Sequence, residues 1–367
     1  MTKRSHGEGS IQARGNAWRI RYRVNGERFE KTVQGSRADA AKALREALKA
    51  GDDGKHVAPS KLTFGQWAET WLTLKARTLD PTTQERYGDL FRLHILPSLG
   101  TTPLQKVTAT DIDRLYGEVA KTLAPGTVRF AHIVLKSCLK AATRKDLLAT
   151  NPADKAETPK AGDSNGGVVL EEQALATLVA GFKASTLYLF VALAAFTGMR
   201  RGEILALRWI DVDLDKRTIS VRQEVVETKK DGIIVQPPKT SRGIRTFTID
   251  DALADLLRSK RKQLPEILPQ AALVLPAVGT LTAFQRPRNV TNQFKYWAAK
   301  LGFPGLHPHD LRGTHETLWL DAGVPVHVVA ARCGHDPAVL LRVYAKRTRK
   351  ADTTAANVIG TLTKGLL

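Results

Sequence analysis

The chain has 367 residues, 43% of them apolar, which is enough material for two or three globular domains and too much for a disordered polymer. Lys and Arg outnumber Asp and Glu 56 to 36, a formal charge of +20 with a pI near 10.0. That imbalance points to a polyanionic partner, most simply nucleic acid, because neutralised phosphates release counterions; on composition alone a ribosomal-type or merely soluble basic protein is the other reading. Two cysteines, Cys138 and Cys333, are too few and too far apart for a disulfide framework or a zinc site, so a reducing cytoplasm is the natural setting. Met1 to Gly7 has no apolar region and does not read as a signal peptide. The apolar run Leu187 to Phe196 is too short to span a bilayer.

Residues 1–57 read as a small three-stranded β-sheet followed by one helix. Trp18-Arg19-Ile20-Arg21-Tyr22-Arg23-Val24 alternates strictly, with apolar side chains on one face and three arginines on the other. Asn25-Gly26 is a two-residue hairpin signal, and Glu27 to Val33 returns as the next strand. Ser36 with Asp39 predicts a capping box for a helix running to about Ala50, closed by Gly51-Asp52-Asp53-Gly54. Arg19, Arg21 and Arg23 are either a solvated face or a row of guanidinium groups matched to a major groove.

Residues 62–152 read as four helices. Phe64, Trp67, Trp71 and Leu74 recur at helical spacing in the first, as a core stripe rather than a base-stacking surface. Asp80-Pro81 starts the second, Thr108 or Thr110 caps the third, and Val128, Ala131, Leu135 and Leu139 line the fourth, from about Pro125 to Arg144. Residues 153–167, rich in Pro, Gly, Ala, Lys and Asp without apolar periodicity, read as an interdomain linker. Residues 168–349 return to helices around a three-stranded β segment, Thr218 to Val226, Ile233 to Gln236 and Ile244 to Ile249, with Lys239 at a hairpin tip. The predicted class is mainly α with small β-sheets.

Six residues of this last region carry the chemistry: Arg200, Lys239, His309, Arg312, His335 and Tyr344. They occur in Thr197-Gly198-Met199-Arg200, Pro238-Lys239-Thr240, His309-Asp310-Leu311-Arg312 and Gly334-His335, with the tyrosine nine positions after the last histidine. A phenol is a poor nucleophile at neutral pH, so its attack on a phosphodiester needs help at two places. Arg200 and Arg312 suit the non-bridging oxygens, since each guanidinium is always charged and forks onto two oxygens. Lys239 suits the leaving oxygen, which needs a proton. Gly198 lets the chain turn, and Glu203, one helical turn after Arg200, can hold that arginine by a salt bridge. His309 and Arg312 share a helix face. His307 competes with His309 but lacks the spacing to Arg312, and a metal reading of His307, His309 and His315 lacks suitably arranged acidic or cysteine ligands. Arg201, Lys229 and Lys230 read as solvated groups or DNA-backbone contacts.

In order and spacing this set resembles the arginine, lysine, His-x-x-Arg, histidine and tyrosine pattern of the tyrosine recombinases of the phage-integrase family. The resemblance implies a mixed α/β catalytic domain at 168–349, a helical SAM-like core-binding domain at 62–152 and an arm-type DNA-binding domain at 1–57. It further implies Tyr344 as the nucleophile of a 3′-phosphotyrosyl intermediate, Lys239 as general acid, and His309 and His335 as phosphate-bonding groups. The family usually has leucine where this chain has Cys333, and commonly an acidic residue at the position of Glu203. No cofactor or metal is implied, since the phosphotyrosyl link conserves the phosphodiester energy and no Walker motif occurs. The partners implied are double-stranded DNA at core and arm attachment sites, a homotetramer, a DNA-bending host factor and a directionality factor, in a bacterial cytoplasm on the nucleoid, with no membrane. A chromosome-dimer or transposon resolvase, a type IB topoisomerase and a non-catalytic degenerate integrase are the alternatives. In residues 350–367 the spacing of Ala355, Ile359, Leu362 and Leu366 predicts a helical tail, packed on its own domain or on a neighbouring subunit.

Overall fold

The computed structural model describes residues 9–54, 56–160 and 167–344, with side chains to position 341. The chain divides into two compact units, residues 1–164 and 165–367. It is mostly helical with small antiparallel sheets.

The first unit holds two separate apolar cores. In the smaller, β1 (Ser10–Arg14), β2 (Ala17–Val24) and β3 (Glu27–Gln34) form an antiparallel sheet in that order, and α1 (Arg37–Asp52) packs on one face. Ile20 and Tyr22 are buried against Ala40 and Leu44 of the helix, as the two-residue alternation requires. Asn25 and Gly26, both at positive φ, make the turn. Ser36 and Asp39 form the reciprocal cap at the start of α1. Tyr22 stacks on Phe29, and its hydroxyl lies 3.1 Å from His56 Nε2.

The larger core lies among α2 (Phe64–Ala76), α3 (Pro81–Leu90), α4 (Leu96–Leu99), α5 (Ala109–Val119) and α6 (Pro125–Thr143), with a π-helical turn at Phe91–Ile95 joining α3 to α4. Phe64, Trp67 and Trp71 are buried here, and Trp67 donates its indole N–H to the Cys138 carbonyl at 3.1 Å. Leu74, expected on the same stripe, is 44% exposed in the last turn of α2. Of the two candidate caps for α5, Thr108 is the one used, paired with Asp111.

The second unit begins with α7 (Glu172–Gly181) and α8 (Tyr188–Thr197). The latter is apolar nearly all round, and accordingly buried nearly all round. It is followed by α9 (Arg201–Leu205), β4 (Val212–Asp213), β5 (Thr218–Val221), β6 (Glu224–Thr228), β7 (Gly232–Gln236) and β8 (Arg245–Thr248). Helices α10 (Asp251–Arg261), α11 (Pro287–Lys300), α12 (Pro308–Asp321), α13 (Val326–Cys333) and α14 (Pro337–Tyr344) complete it.

The β region differs from the expected single three-stranded segment. The first predicted strand breaks at Arg222-Gln223, giving a β4-β5-β8 sheet and a separate β6-β7 hairpin. Side chains at the break explain it: Arg222 pairs with the buried Asp211 at 3.2 Å, and Gln223 donates to the Ala206 carbonyl at 2.9 Å. Lys239 therefore lies in the crossover from one sheet to the other, after Pro237-Pro238, and not at a hairpin tip. The tip between β6 and β7 carries Lys229 and Lys230, both exposed. Among the described residues no helix is long and apolar enough to cross a membrane.

Candidate active site

Two left-handed glycines bring the site together. Gly198 caps α8 at φ +64°, turning the chain so that Arg200 stands at the start of α9. Gly334 caps α13 at φ +68° and delivers His335. A side chain at either place would collide with its surroundings: a Cβ at 198 would lie 2.8 Å from His315 and 2.9 Å from Cys333 Sγ, and one at 334 would lie 2.8 Å from the Arg242 carbonyl.

The two arginines are laced across these turns. Arg200 Nη1 donates to Glu203 Oε1 at 2.7 Å, and its Nη2 donates to the Gly334 carbonyl at 3.1 Å. Arg312, 1% exposed, donates from Nη1 to the Gly198 carbonyl at 2.7 Å and from Nη2 to the Cys333 carbonyl at 2.6 Å. Each arginine thus holds the backbone that precedes another member of the set. Glu203 is fully buried and also takes Arg245, at 2.8 and 3.1 Å. Burial pushes the Glu203 carboxyl up, but Arg245 and Arg200 together outweigh it and hold it below the ordinary carboxylate range.

A cavity of about 370 Å³ opens beside this network, lined by Arg200, Lys239 and His309 together with Arg201, Glu224 and His307. His309 is exposed to it from the first turn of α12. Desolvation, and then the charge of Arg312, hold its imidazole below the usual histidine value, which favours the neutral ring at pH 7. His307 is the N-cap of α12, its backbone N–H donating to Asp310 at 2.7 Å. His315 faces the other way, into the core, with Nδ1 3.0 Å from the Ala195 carbonyl; burial lowers it to about 4. Cys333 is a buried packing residue whose thiol is pushed up to about 12 by desolvation. Tyr344 is the last residue of α14; its side chain, like the predicted tail at 350–367, lies outside the described residues.

Three residues make contacts that the sequence reading did not give. Arg201 is committed to α11, with Nη1 2.6 Å from Thr291 Oγ1 and 3.3 Å from the Pro287 carbonyl. Arg245, on β8, has a side chain only 6% exposed and ties Glu203 to the carbonyls of Arg332 (2.6 Å) and Gly243 (2.9 Å). Glu316, one helical turn after Arg312, places Oε1 3.0 Å from Arg312 Nε and 2.9 Å from His335 Nε2. The i,i+4 spacing from Arg312 was the available signal for Glu316; no local pattern marks Arg245.

In the first unit, Arg19, Arg21 and Arg23 do share one face of β2, as the alternation predicts. Their cross-strand partners are Thr32, Glu30 and Arg28. Glu30 lies 3.7 Å from Arg19 and 3.5 Å from Arg21, so the face is less positive than three arginines alone imply, while Arg28 adds a fourth cation.

Residues 169–350 match the Phage integrase family model, and residues 63–119 match the model for the phage integrase N-terminal SAM-like domain. The chain is similar to an integrase of Streptomyces ambofaciens, 24% identical with 97% of each protein covered. It is 25% identical to a XerC-like tyrosine recombinase of Caldanaerobacter subterraneus, over 92% of this chain and 93% of that one. Its fold resembles that of the Tn1549 transposon integrase in complex with a circular intermediate DNA, at TM-score 0.70 and 19% identity, covering 81% of this chain and 99% of the other. It also resembles a lambda integrase tetramer bound to a Holliday junction, at TM-score 0.57 and 16% identity, covering 89% and 95%. The architecture is that of the integrase class of recombinases. The chain belongs to the phage integrase family and is a tyrosine site-specific recombinase that acts in DNA integration.

Proposed function

We propose that the cavity beside Arg200, Lys239 and His309 receives one phosphate of duplex DNA, and that Tyr344 is the nucleophile. The phenolic oxygen attacks phosphorus, the bond to the 5′ oxygen breaks, and a 3′-phosphotyrosyl link remains. Arg200 and Arg312 supply fixed N–H donors to the non-bridging oxygens, where charge develops in the transition state. Lys239, exposed on the crossover loop, gives the departing 5′ oxygen its proton. His309, held toward its neutral form, takes the proton of the phenol. The reverse sequence, with a 5′ hydroxyl as attacker, rejoins the strand. The observation that carries this reading is the lacing of Arg200 to the Gly334 carbonyl and of Arg312 to the Gly198 carbonyl, which holds both guanidinium groups in one site.

The SAM-like match at 63–119 supports 62–152 as a second DNA-contacting domain, and the arginine face of β2 supports arm-site binding by 1–57. The lambda integrase tetramer on a Holliday junction supports a homotetramer exchanging strands in pairs. A DNA-bending host factor and a directionality factor complete the proposal, which sets integration, and possible excision, of a phage or mobile element on the bacterial nucleoid. The test is a nicked suicide duplex copied from the end of the element that carries the gene. Wild type should form a covalent protein–DNA adduct on a denaturing gel, and Tyr344→Phe should bind the duplex and form none. An adduct at normal yield in the variant sinks the assignment of Tyr344.

A further inference from the structure

Glu316 is a second buried carboxylate in the arginine network. Its side chain is 9% exposed, and the same oxygen, Oε1, lies 3.0 Å from Arg312 Nε and 2.9 Å from His335 Nε2. Arg312 Nε is also 3.3 Å from His335 Nε2. These contacts compete for one proton. A ring nitrogen that donates to the carboxylate cannot accept from the guanidinium. Among the described residues Glu316 Oε1 makes no hydrogen bond of its own and lies buried within ion-pair distance of both groups, while Arg312 Nε–H donates to His335 Nε2, so the carboxylate's hold on the pair is one of charge at close range. Arg312 spends two more N–H groups on the Gly198 and Cys333 carbonyls, which leaves one on each terminal nitrogen for a phosphate.

We infer that Glu316 is a positioning residue for strand cleavage, its carboxylate fixing Arg312 and His335 relative to one another as Glu203 fixes Arg200. The inference rests on the phosphoryl-transfer reading of the site. A buried guanidinium needs an anion beside it before the phosphate arrives, and the carboxylate supplies one. It also sets the ring orientation of His335, presenting Nδ1 to the substrate, as a carboxylate behind an imidazole does in other catalytic sites. His309 and His315 on its own helix and Cys333 from α13 also bear on this carboxylate. Burial pushes Glu316 up, but His335 and the Arg312 charge prevail and keep it below the ordinary range, consistent with an anion in place at neutral pH.

An anion next to the phosphate site opposes binding while it organises the transition state, so its removal should divide the two. The full-length protein is compared as wild type, Glu316→Gln, Glu316→Ala, His335→Ala and the Glu316→Gln/His335→Ala double variant, on the nicked suicide duplex. DNA affinity is measured by fluorescence anisotropy and single-turnover adduct formation at saturating protein. Glu316→Gln should bind the duplex at least as tightly as wild type and cleave about 10- to 100-fold more slowly, the scale for losing an outer orienting partner. In the His335→Ala background the same change should cost far less, because half of what it orients is already gone. Cleavage by Glu316→Gln within about twofold of wild type, or losses that simply multiply in the double variant, would overturn the inference. So would loss of DNA binding and a much lowered melting temperature in both Glu316 variants, which would make the carboxylate a folding element. Each result is read from an adduct formed by intact Tyr344, so failure here is distinct from failure of the nucleophile assignment.

Discussion

Arg245→Ala tests whether the buried Glu203 needs both of its arginines. The substitution removes two hydrogen bonds to Glu203, at 2.8 and 3.1 Å, and the donors to the Arg332 and Gly243 carbonyls. Glu203 is left fully buried with Arg200, itself a third exposed, as its remaining cation. Removing one partner of a buried ion pair costs about 3–5 kcal/mol, because the survivor keeps its desolvation penalty. In a unit of this size each kcal/mol moves the melting temperature by about 2–4 °C, so the transition of the second unit should fall by about 6–20 °C. The pH dependence supplies the sign. The carboxyl of Glu203 is depressed in the folded protein, so its contribution is complete above the ordinary carboxylate range and is lost as pH falls through the folded value. In the variant, burial is opposed by Arg200 alone and the carboxyl rises. It can then take up a proton on mild acidification, and the deficit should shrink between pH 7 and about pH 4.3, the ordinary glutamate value. Calorimetry across that range is the assay. A deficit at pH 7 below about 1 kcal/mol, or one independent of pH, refutes the reasoning.

Gly334→Ala should destabilise the second unit by about 1–3 kcal/mol, from the left-handed backbone and the collision with the Arg242 carbonyl. It should also slow adduct formation more than it weakens DNA binding, since the Gly334 carbonyl holds Arg200; equal effects on both would contradict that role. The Arg19/Arg21/Arg23 triple alanine variant should still fold, because Ile20 and Tyr22 keep the core face of β2. In a titration of arm DNA against salt it should show a slope shallower by up to about three phosphate contacts, and by less if Glu30 already neutralises part of the face. An unchanged slope would make these arginines a solvated surface.

Reading the sequence found what is encoded locally. The capping residues Ser36 and Thr108 each declare a helix start through a partner three positions on, and the Ile20/Tyr22 alternation declares the buried face of a strand. Short settings marked Arg200, His309, Arg312 and His335 as the candidate site, and the contact of Glu203 with Arg200 was legible because the two lie one turn apart. The break at Arg222-Gln223 was not legible: neither residue interrupts a strand by itself, and the cause is a tertiary pairing with Asp211 and Ala206. Pro237-Pro238 did carry a signal that was not used, since a chain without N–H donors there leaves the ladder and carries Lys239 out of a hairpin. Arg245 and Glu316 sit in positions that look like ordinary strand and helix surface. What they do follows from which loops fold over them.

The cross-bonding of Arg200 to Gly334 and of Arg312 to Gly198 has a consequence for how such a protein diversifies. Segments 134 and 114 residues apart in sequence share one set of backbone acceptors, so the chemistry is inherited as a block. A chimera joined at the 164/165 division transfers that block whole, and on the proposed function it is expected to keep strand cleavage when the first unit is exchanged with a relative's. A splice between Arg200 and Arg312 pairs each guanidinium with a foreign turn. If the site works as proposed, target preference is open to wholesale swapping, whereas the laced residues are expected to change only by coordinated substitution.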